Sequence, residues 1–283
     1  MKIVDRGGGL PVVVIPGIQG RWEWMEPAID ALAHRCHVVT FSLADDAEMF
    51  DGLVEQVRQA LDAAGLRKAA ICGVSYGGLI ASAFAVRYPE RVASVILVSA
   101  LPPSWRPDPR VTFYLRAPRL LTPLFLVASL RMYREIAAAN GGYVRGASAG
   151  IRHAWRVLTH MFSSRLMARR ARLLPAADLE ARLRTVRVPA LVITGERALD
   201  RVVPIDRTRE YLRIWPDAEL VTILRTGHLG LMTRPDEFAR VVVDFAESAQ
   251  RRVGPVGRTH SPHSPHPPHS PHPPYSPPER RVG

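Results

Sequence analysis

Cysteine and lysine are both scarce in this sequence. The chain of 283 residues has two cysteines, Cys36 and Cys72, and its 38 basic residues include only two lysines. Two cysteines cannot build the disulfide framework of a small secreted domain. Cys72 stands in an apolar run, so we expect an unreactive buried thiol. The arginines follow no nucleic-acid-binding motif, and we expect no nucleic-acid partner.

The sequence also has no long apolar run. The longest, from Leu120 to Leu130, contains Pro123 and is too short to span a bilayer. No apolar h-region follows Met1, so we expect no secretion signal and a cytoplasmic location. A hydrophobic content of 47% is nevertheless enough for a substantial core.

The net charge of +12 is concentrated in the middle of the chain. Residues 106–187 contain 16 arginines and four acids, whereas residues 1–105 and 188–250 each carry a net charge of −2. We expect a solvated arginine face, although an acidic substrate or peripheral contact with an anionic membrane surface is an open alternative. Nothing in the composition indicates an oligomeric state.

Short apolar runs alternate with helical patterns over most of the chain. The predicted strands are residues 12–15, 38–43, 69–74, 92–98, 190–194 and 219–224. This alternation, with a helical pattern over residues 205–215 between the last two strands, predicts a doubly wound α/β fold with six parallel strands. Residues 104–187 show helical patterns around residues 118–139, 151–174 and 176–185 and no convincing strand. We therefore expect a core in two parts, residues 1–103 and 188–250, and a helical lid, residues 104–187, above the carboxyl edge of the sheet.

Residues 251–283 are rich in proline, histidine and serine and almost free of aliphatic residues. Such a segment cannot bury a core, so we expect a tail that is disordered or forms polyproline II. Five histidines recur there at every third residue: His260, His263, His266, His269 and His272. Polyproline II would separate neighbouring histidines by about 9 Å, too far for consecutive residues to chelate one ion. We expect a solvated tail, no metal site and no cofactor.

The most informative stretch is Gly73-Val74-Ser75-Tyr76-Gly77, which joins an apolar strand to a helical pattern. A serine between a strand and a helix must occupy a sharp turn, and glycines two residues away on either side remove clashing Cβ atoms. Such a turn exposes the hydroxyl beside backbone N–H groups. Ser75 is therefore our candidate nucleophile for acyl transfer.

A serine nucleophile needs a base and a carboxylate that orients the base. Of the ten histidines, five lie in the tail and four are expected at the surface or in packing: His34, His37, His153 and His160. His228 follows the last predicted strand and is our candidate base. Asp200 follows the strand before it and is our candidate acid. Glu196 is the rival, but its position beside a turn glycine favours a structural role.

With these motifs the chain resembles the α/β-hydrolase superfamily over residues 10–250. The resemblance rests on Gly-Val-Ser-Tyr-Gly-Gly as a nucleophile elbow, on the loop around Asp200 and on Thr-Gly-His-Leu-Gly around His228. It implies that the backbone N–H groups of Ile18 and Tyr76 form an oxyanion hole. Pro-Gly-Ile-Gln-Gly stands where many members carry His-Gly, and Ser42-Leu43-Ala44-Asp45-Asp46 replaces a glycine-rich loop; these departures concern the shape of the site entrance. The N-terminal antiparallel hairpin is also shortened.

The expected function is cleavage of a carboxylic ester or a related acyl bond in a small molecule. Acyl transfer, lactone hydrolysis, C–C hydrolysis and aminopeptidase activity with the same triad stay open, as does a non-catalytic ligand-binding protein on the same frame. Five aromatic residues are our candidates for substrate binding: Trp22, Trp24, Phe113, Phe125 and Trp155.

Overall fold

The computed structural model describes residues 2–123, 127, 130–159, 163–215 and 217–253. Phe125, His160 and residues 254–283 of the predicted tail lie outside the described residues. Residues 251–253, which were predicted to belong to the tail, instead form the end of the last helix. Seven strands form the sheet. They are β1 (Ile3–Arg6), β2 (Leu10–Ile15), β3 (Cys36–Phe41), β4 (Ala69–Val74), β5 (Val92–Val98), β6 (Ala190–Thr194) and β7 (Glu219–Thr222). The predicted α/β architecture is thereby confirmed.

The strand order across the sheet is β1-β3-β2-β4-β5-β6-β7. β1 alone runs antiparallel, pairing with β3, and every other pair is parallel. The six predicted parallel strands are all present. The sequence reading did not assign a strand at Ile3–Arg6, because its mixed polar pattern fits an edge position and gives no clear apolar run.

Helices cover both faces of the sheet. In chain order, those outside the middle segment are α1 (Glu26–Ala33), α2 (Phe50–Ala63), α3 (Tyr76–Arg87), α9 (Ile205–Thr208), α10 (Tyr211–Ile214), α11 (Gly230–Thr233) and α12 (Pro235–Val253). α2 and α3 pack on one face and α1 and α12 on the other. The helix predicted over residues 205–215 is in fact two short helices separated by a turn at residues 209–210.

The core consists of two apolar layers on either side of the sheet. Side chains alternate along each strand, so Val13 and Ile71 belong to one layer and Val12 and Ala70 to the other. Strand β4 is buried at all six residues, as parallel strands covered on both faces require. Cys72 lies there and is fully buried, as expected, and burial raises the pKa of its thiol to about 12.

Residues 104–187, between β5 and β6, are called the helical segment below. Its described helices are α4 (Pro109–Arg116), α5 (Tyr133–Ala139), α6 (Tyr143–Thr159), α7 (Ser164–Arg172) and α8 (Leu179–Leu183). No strand occurs among its described residues, as predicted. The single helix predicted over residues 151–174 is two helices, because the chain leaves helical geometry at Ser163, whose side chain then caps α7. The role of the segment as a lid stays a prediction.

Among the described residues, no helix combines the length and the hydropathy that a bilayer crossing requires.

Candidate active site

Ser75 occupies a strained turn at the carboxyl end of β4. Its φ is 54° and its ψ is −116°, a conformation that non-glycine residues rarely adopt. Backbone hydrogen bonds hold it there: its N–H donates to the Val98 carbonyl at 2.9 Å, and its carbonyl accepts from Gly78 and Leu101. The predicted sharp turn at the start of α3 is therefore present.

The loop after β2 lies directly against the first turn of α3. A Cβ atom at Gly77 would come within 2.5 Å of the Ile15 carbonyl oxygen and 2.6 Å of the Pro16 carbonyl oxygen. Only glycine permits this approach. The same loop closes a turn in which Gly20 N–H donates to the Gly17 carbonyl at 2.9 Å. The structure thus brings the loop that contains Ile18 beside the helix end that contains Tyr76.

A buried arginine of α7 also holds this loop. Arg170 is 3% exposed, and its guanidinium donates to the Ile18 carbonyl at 3.3 Å and the Gln19 carbonyl at 3.1 Å. Further acceptors are the carbonyls of Leu43 and Ala44 and the carboxylate of Asp45. Burial lowers the pKa of the guanidinium, while the neighbouring Asp45 opposes that shift. The helical segment is therefore tied to both loops that flank this edge of the sheet.

Asp200 and His228 lie together at the ends of β6 and β7. The Oδ2 atom of Asp200 is 3.5 Å from Nδ1 of His228, at the outer limit of a hydrogen bond. Within the described part of the chain, this buried Nδ1 makes no hydrogen bond of ordinary geometry; such contacts are often loose before substrate binds. The other carboxylate oxygen of Asp200 accepts from the N–H groups of Val202 and Val203 at 2.9 and 3.0 Å.

Asp200 is held in its ionised form. Burial acts to raise its pKa, but contact with His228 and the two backbone N–H groups outweigh burial, and the pKa lies below its usual value. Glu196 has a different role in the structure, because its Oε1 accepts from the N–H of Arg225 at 2.7 Å. This bond holds the loop that carries His228, residues 223–229, which is called the histidine loop below. Of the two candidate acids, Asp200 is the one in contact with His228.

The loops that carry these two side chains are packed tightly together. A Cβ atom at Gly195 would lie 2.4 Å from the Thr226 carbonyl oxygen, and one at Gly227 would lie 2.7 Å from the Asp200 nitrogen. Glu196 N–H also donates to the Thr226 carbonyl at 2.7 Å. Two glycines are therefore required for Asp200 and His228 to meet.

A second carboxylate reaches the histidine loop from the helical segment. Glu135, in α5, is 1% exposed, and its Oε1 accepts from the N–H of Leu229 at 2.7 Å. Burial raises its pKa to about 7; the N–H groups of Leu229 and Gly227 and the charge of His228 oppose the rise. The sequence reading did not single out Glu135 or Arg170. One signal was available, since Glu135 is one of only four acids in residues 106–187.

The predicted substrate-binding residues occupy varied surroundings. The guanidinium of Arg6 stands 5.3 Å from the ring centre of Trp22, and the ring of Trp24 meets that of His153 edge to face at 6.4 Å. Phe113 is 49% exposed and Trp155 is 67% exposed. Their role in substrate binding stays a prediction.

Arginines also surround a cavity of about 550 Å³ within the helical segment. It is lined by Arg119, Ser163, Arg165, Leu166, Arg169 and Arg172. None of the predicted site residues lines it. Among the described residues, no group of three or more histidine, cysteine or acidic side chains is arranged to hold a metal ion.

The chain is similar to known proteins along most of its length. Residues 12–241 match the family model described as the alpha/beta hydrolase family. The chain is 31% identical over 212 residues to the 2-hydroxy-6-oxo-6-phenylhexa-2,4-dienoate hydrolase of Burkholderia cepacia, covering 71% of this chain and 72% of that relative. It is 26% identical over 264 residues to the poly(3-hydroxyalkanoate) depolymerase of Ectopseudomonas oleovorans, covering 86% of each. Its fold matches that of the esterase RhEst1 of Rhodococcus sp. ECU1013, with a TM-score of 0.70, 18% identity and coverage of 87% of this chain and 94% of that one.

Proposed function

Because this chain belongs to the alpha/beta hydrolase family, we propose that it hydrolyses a carboxylic ester of a small molecule through Ser75, His228 and Asp200. The observation that carries the proposal is the strained Ser75 turn after β4. It lies at the carboxyl edge of the sheet, where the loops after β6 and β7 hold Asp200 against His228. A nucleophile, a base and an orienting acid on three strand ends are the parts that acyl transfer needs.

The proposed reaction has two halves. The Oγ of Ser75 attacks the acyl carbon while Nε2 of His228 takes the hydroxyl proton; His228 then gives that proton to the leaving alcohol as the C–O bond breaks. A water molecule attacks the acyl-enzyme in the same way and releases the acid and Ser75. Asp200, ionised at neutral pH, holds the imidazole in the required tautomer and stabilises its charged form.

We assign the developing oxyanion to the N–H groups of Ile18 and Tyr76. The close approach of Gly77 to the Ile15 and Pro16 carbonyls supports this, because it sets the loop after β2 beside the N-terminus of α3. Preorganised donors of this kind contribute about 3 to 4 kcal/mol to transition-state binding. Arg170 fixes the far side of the same loop.

A second candidate is hydrolysis of a C–C bond in a 2-hydroxy-6-oxo-dienoate. It is favoured by the 31% identity to a relative with that printed activity. It would use the same three side chains but a substrate that carries a carboxylate. The 26% identity to a poly(3-hydroxyalkanoate) depolymerase, over 86% of each chain, is the reason for preferring an ester.

The test is a panel of p-nitrophenyl esters of varied chain length, together with a 2-hydroxy-6-oxo-dienoate, assayed with wild type and Ser75→Ala. We expect ester turnover that falls by several orders of magnitude in Ser75→Ala, because the nucleophile acts as one unit with its base. A fluorophosphonate probe should label wild type and not the variant. Ester turnover that survives Ser75→Ala would refute the mechanism, and turnover of the dienoate alone would move the assignment to the second candidate.

A further inference from the structure

We propose that Glu135 is a positioning residue that holds the histidine loop from the helical segment and so keeps His228 in place to act on Ser75. This inference rests on the proposed function. It starts from a contact across 94 positions of sequence, in which the Glu135 carboxylate accepts from the Leu229 N–H at 2.7 Å. The carboxylate thus grips the loop at the residue that follows His228.

The contact is buried. Glu135 is 1% exposed, and α5 also buries Ile136 and Ala137 at its side. A buried carboxylate is stable only when hydrogen bonds compensate for lost water. Here those bonds come from the histidine loop: the Leu229 N–H donates directly, and the Gly227 N–H, on the other side of His228, also stabilises the charged form. Both flanks of the base therefore face the same acid.

The helix that carries Glu135 is itself firmly placed. α6 packs on α5 at two glycines, where a Cβ atom at Gly146 would lie 3.1 Å from the Ala137 Cα and one at Gly150 would lie 2.8 Å from the Tyr133 ring. Because glycine has no side chain, α6 places no charged group against α5 at these two contacts. Arg134, its neighbour in the chain, is exposed. The anchor is thus a short helix held by packing, and its buried acid points at the loop.

The charge of Glu135 gives the contact a second consequence. The ionisable groups that act on its carboxylate include His228, which favours the charged form, and Asp200, which disfavours it. Replacing the carboxylate by an amide should therefore remove the cost of burying a charge while keeping an acceptor for the Leu229 N–H.

Two variants separate geometry from charge. Glu135→Leu removes both the acceptor and the charge, whereas Glu135→Gln keeps an acceptor oxygen for the Leu229 N–H and removes only the charge. The matched controls are Glu180→Leu and Glu180→Gln, because Glu180 lies in the same helical segment and its exposed side chain pairs only with Arg184 among the contacts described.

We expect Glu135→Leu to lower kcat and the rate of fluorophosphonate labelling by about 10- to 100-fold with little change in KM, the usual effect of displacing a reacting group by about 1 Å. Hydrogen exchange at the Leu229 amide should accelerate in the same variant. Glu135→Gln should retain most of its kcat and the wild-type rate of exchange at the Leu229 amide, because an amide oxygen can still accept from that N–H. The Glu180 variants should match wild type in every measurement.

The proposal is overturned if Glu135→Leu is folded and matches wild type in labelling rate and in Leu229 exchange. Should Glu135→Leu fail to fold, Glu135→Asp decides, because it keeps the charge but withdraws the acceptor by one methylene group: rates of labelling and of Leu229 exchange identical to those of wild type would also overturn the proposal. Hydrogen exchange does not depend on catalysis. If turnover survives Ser75→Ala while the Leu229 amide of Glu135→Leu still exchanges faster than in wild type, the serine mechanism is refuted. The role of Glu135 in holding the histidine loop then stands.

Discussion

The sheet core and the helical segment are held together by different interactions. The core is closed by apolar side chains on both faces of the sheet, with strand β4 wholly buried. The helical segment carries most of the net positive charge, and two of its charged side chains, Arg170 and Glu135, reach buried backbone of the core. Arg170 binds the loop with the proposed oxyanion donor Ile18, and Glu135 binds the loop with His228.

This difference assigns two tasks to two regions: the core supplies the free energy of folding, and the helical segment aligns the loops of the proposed site. Apolar burial is non-directional and gives the core most of its free energy of folding. Hydrogen bonds from a buried charge are directional and fix the two partners in one arrangement. The helical segment therefore has the means to align two loops of the proposed site without supplying much of the core's stability. The three predictions that follow test that division, beginning with the largest expected effect.

The largest effect should come from a cavity in the core. Phe84, on α3, is fully buried against the sheet and beside the ring of Tyr88. Phe84→Ala should lower the free energy of unfolding by about 3 to 5 kcal/mol, measured by urea denaturation. The matched control is Phe113→Ala in the helical segment, where the ring is half exposed, and we expect less than about 1 kcal/mol. Equal losses from the two variants would remove the distinction between the regions.

A smaller effect, with a different signature, should follow loss of the guanidinium from the helical segment. Arg170→Met keeps the aliphatic stem but leaves buried carbonyl oxygens without donors, which should lower the free energy of unfolding by about 2 to 3 kcal/mol. Because the loop of Ile18 loses its brace, kcat should also fall about tenfold or more in the protein that stays folded. Urea denaturation and ester kinetics measure the two effects.

Arg172→Met is the control for that experiment, since Arg172 lies on the same helix with an exposed side chain that donates to the carbonyls of Leu115 and Ala168. It should change both quantities little. If Arg170→Met loses stability but keeps full kcat, the arginine is a packing residue only, and the alignment role assigned to it is wrong.

The sheet and its elbow were predictable from sequence because they depend on local patterns. Runs such as Ala69–Val74 and Val92–Val98 have the apolar composition that a doubly covered strand needs, and their observed bounds agree with the prediction. The role of the glycines around Ser75 was also predictable, because only glycine fits the close approaches found there. The contact between Asp200 and His228 was predictable from their places after β6 and β7.

The buried charged residues Arg170 and Glu135 were not predictable from local patterns. Arg170 is one of 16 arginines in residues 106–187, and no local pattern distinguishes the one whose side chain is buried. Its role depends on carbonyl groups about 125 to 150 positions away in sequence. The helix boundaries in this segment were also poorly predicted, because the ends of helices depend on caps such as Ser163 that the apolar pattern does not reveal.

The smallest effect should be a pH dependence that Glu135 alone contributes. Its pKa is about 7 in the fold, against an ordinary value of 4.5, because burial penalises the charged form. A raised carboxyl pKa destabilises the fold increasingly as pH rises from 4.5 and reaches its full effect above 7. Between pH 6 and pH 8, wild type should therefore lose about 1 kcal/mol of unfolding free energy relative to Glu135→Gln, with urea denaturation at the two pH values as the measurement. Glu180→Gln, at an exposed site, should show no such difference from wild type. A gap between wild type and Glu135→Gln that stays constant from pH 6 to pH 8 would mean that Glu135 keeps one protonation state across this range, and the raised pKa assigned to it would then be wrong.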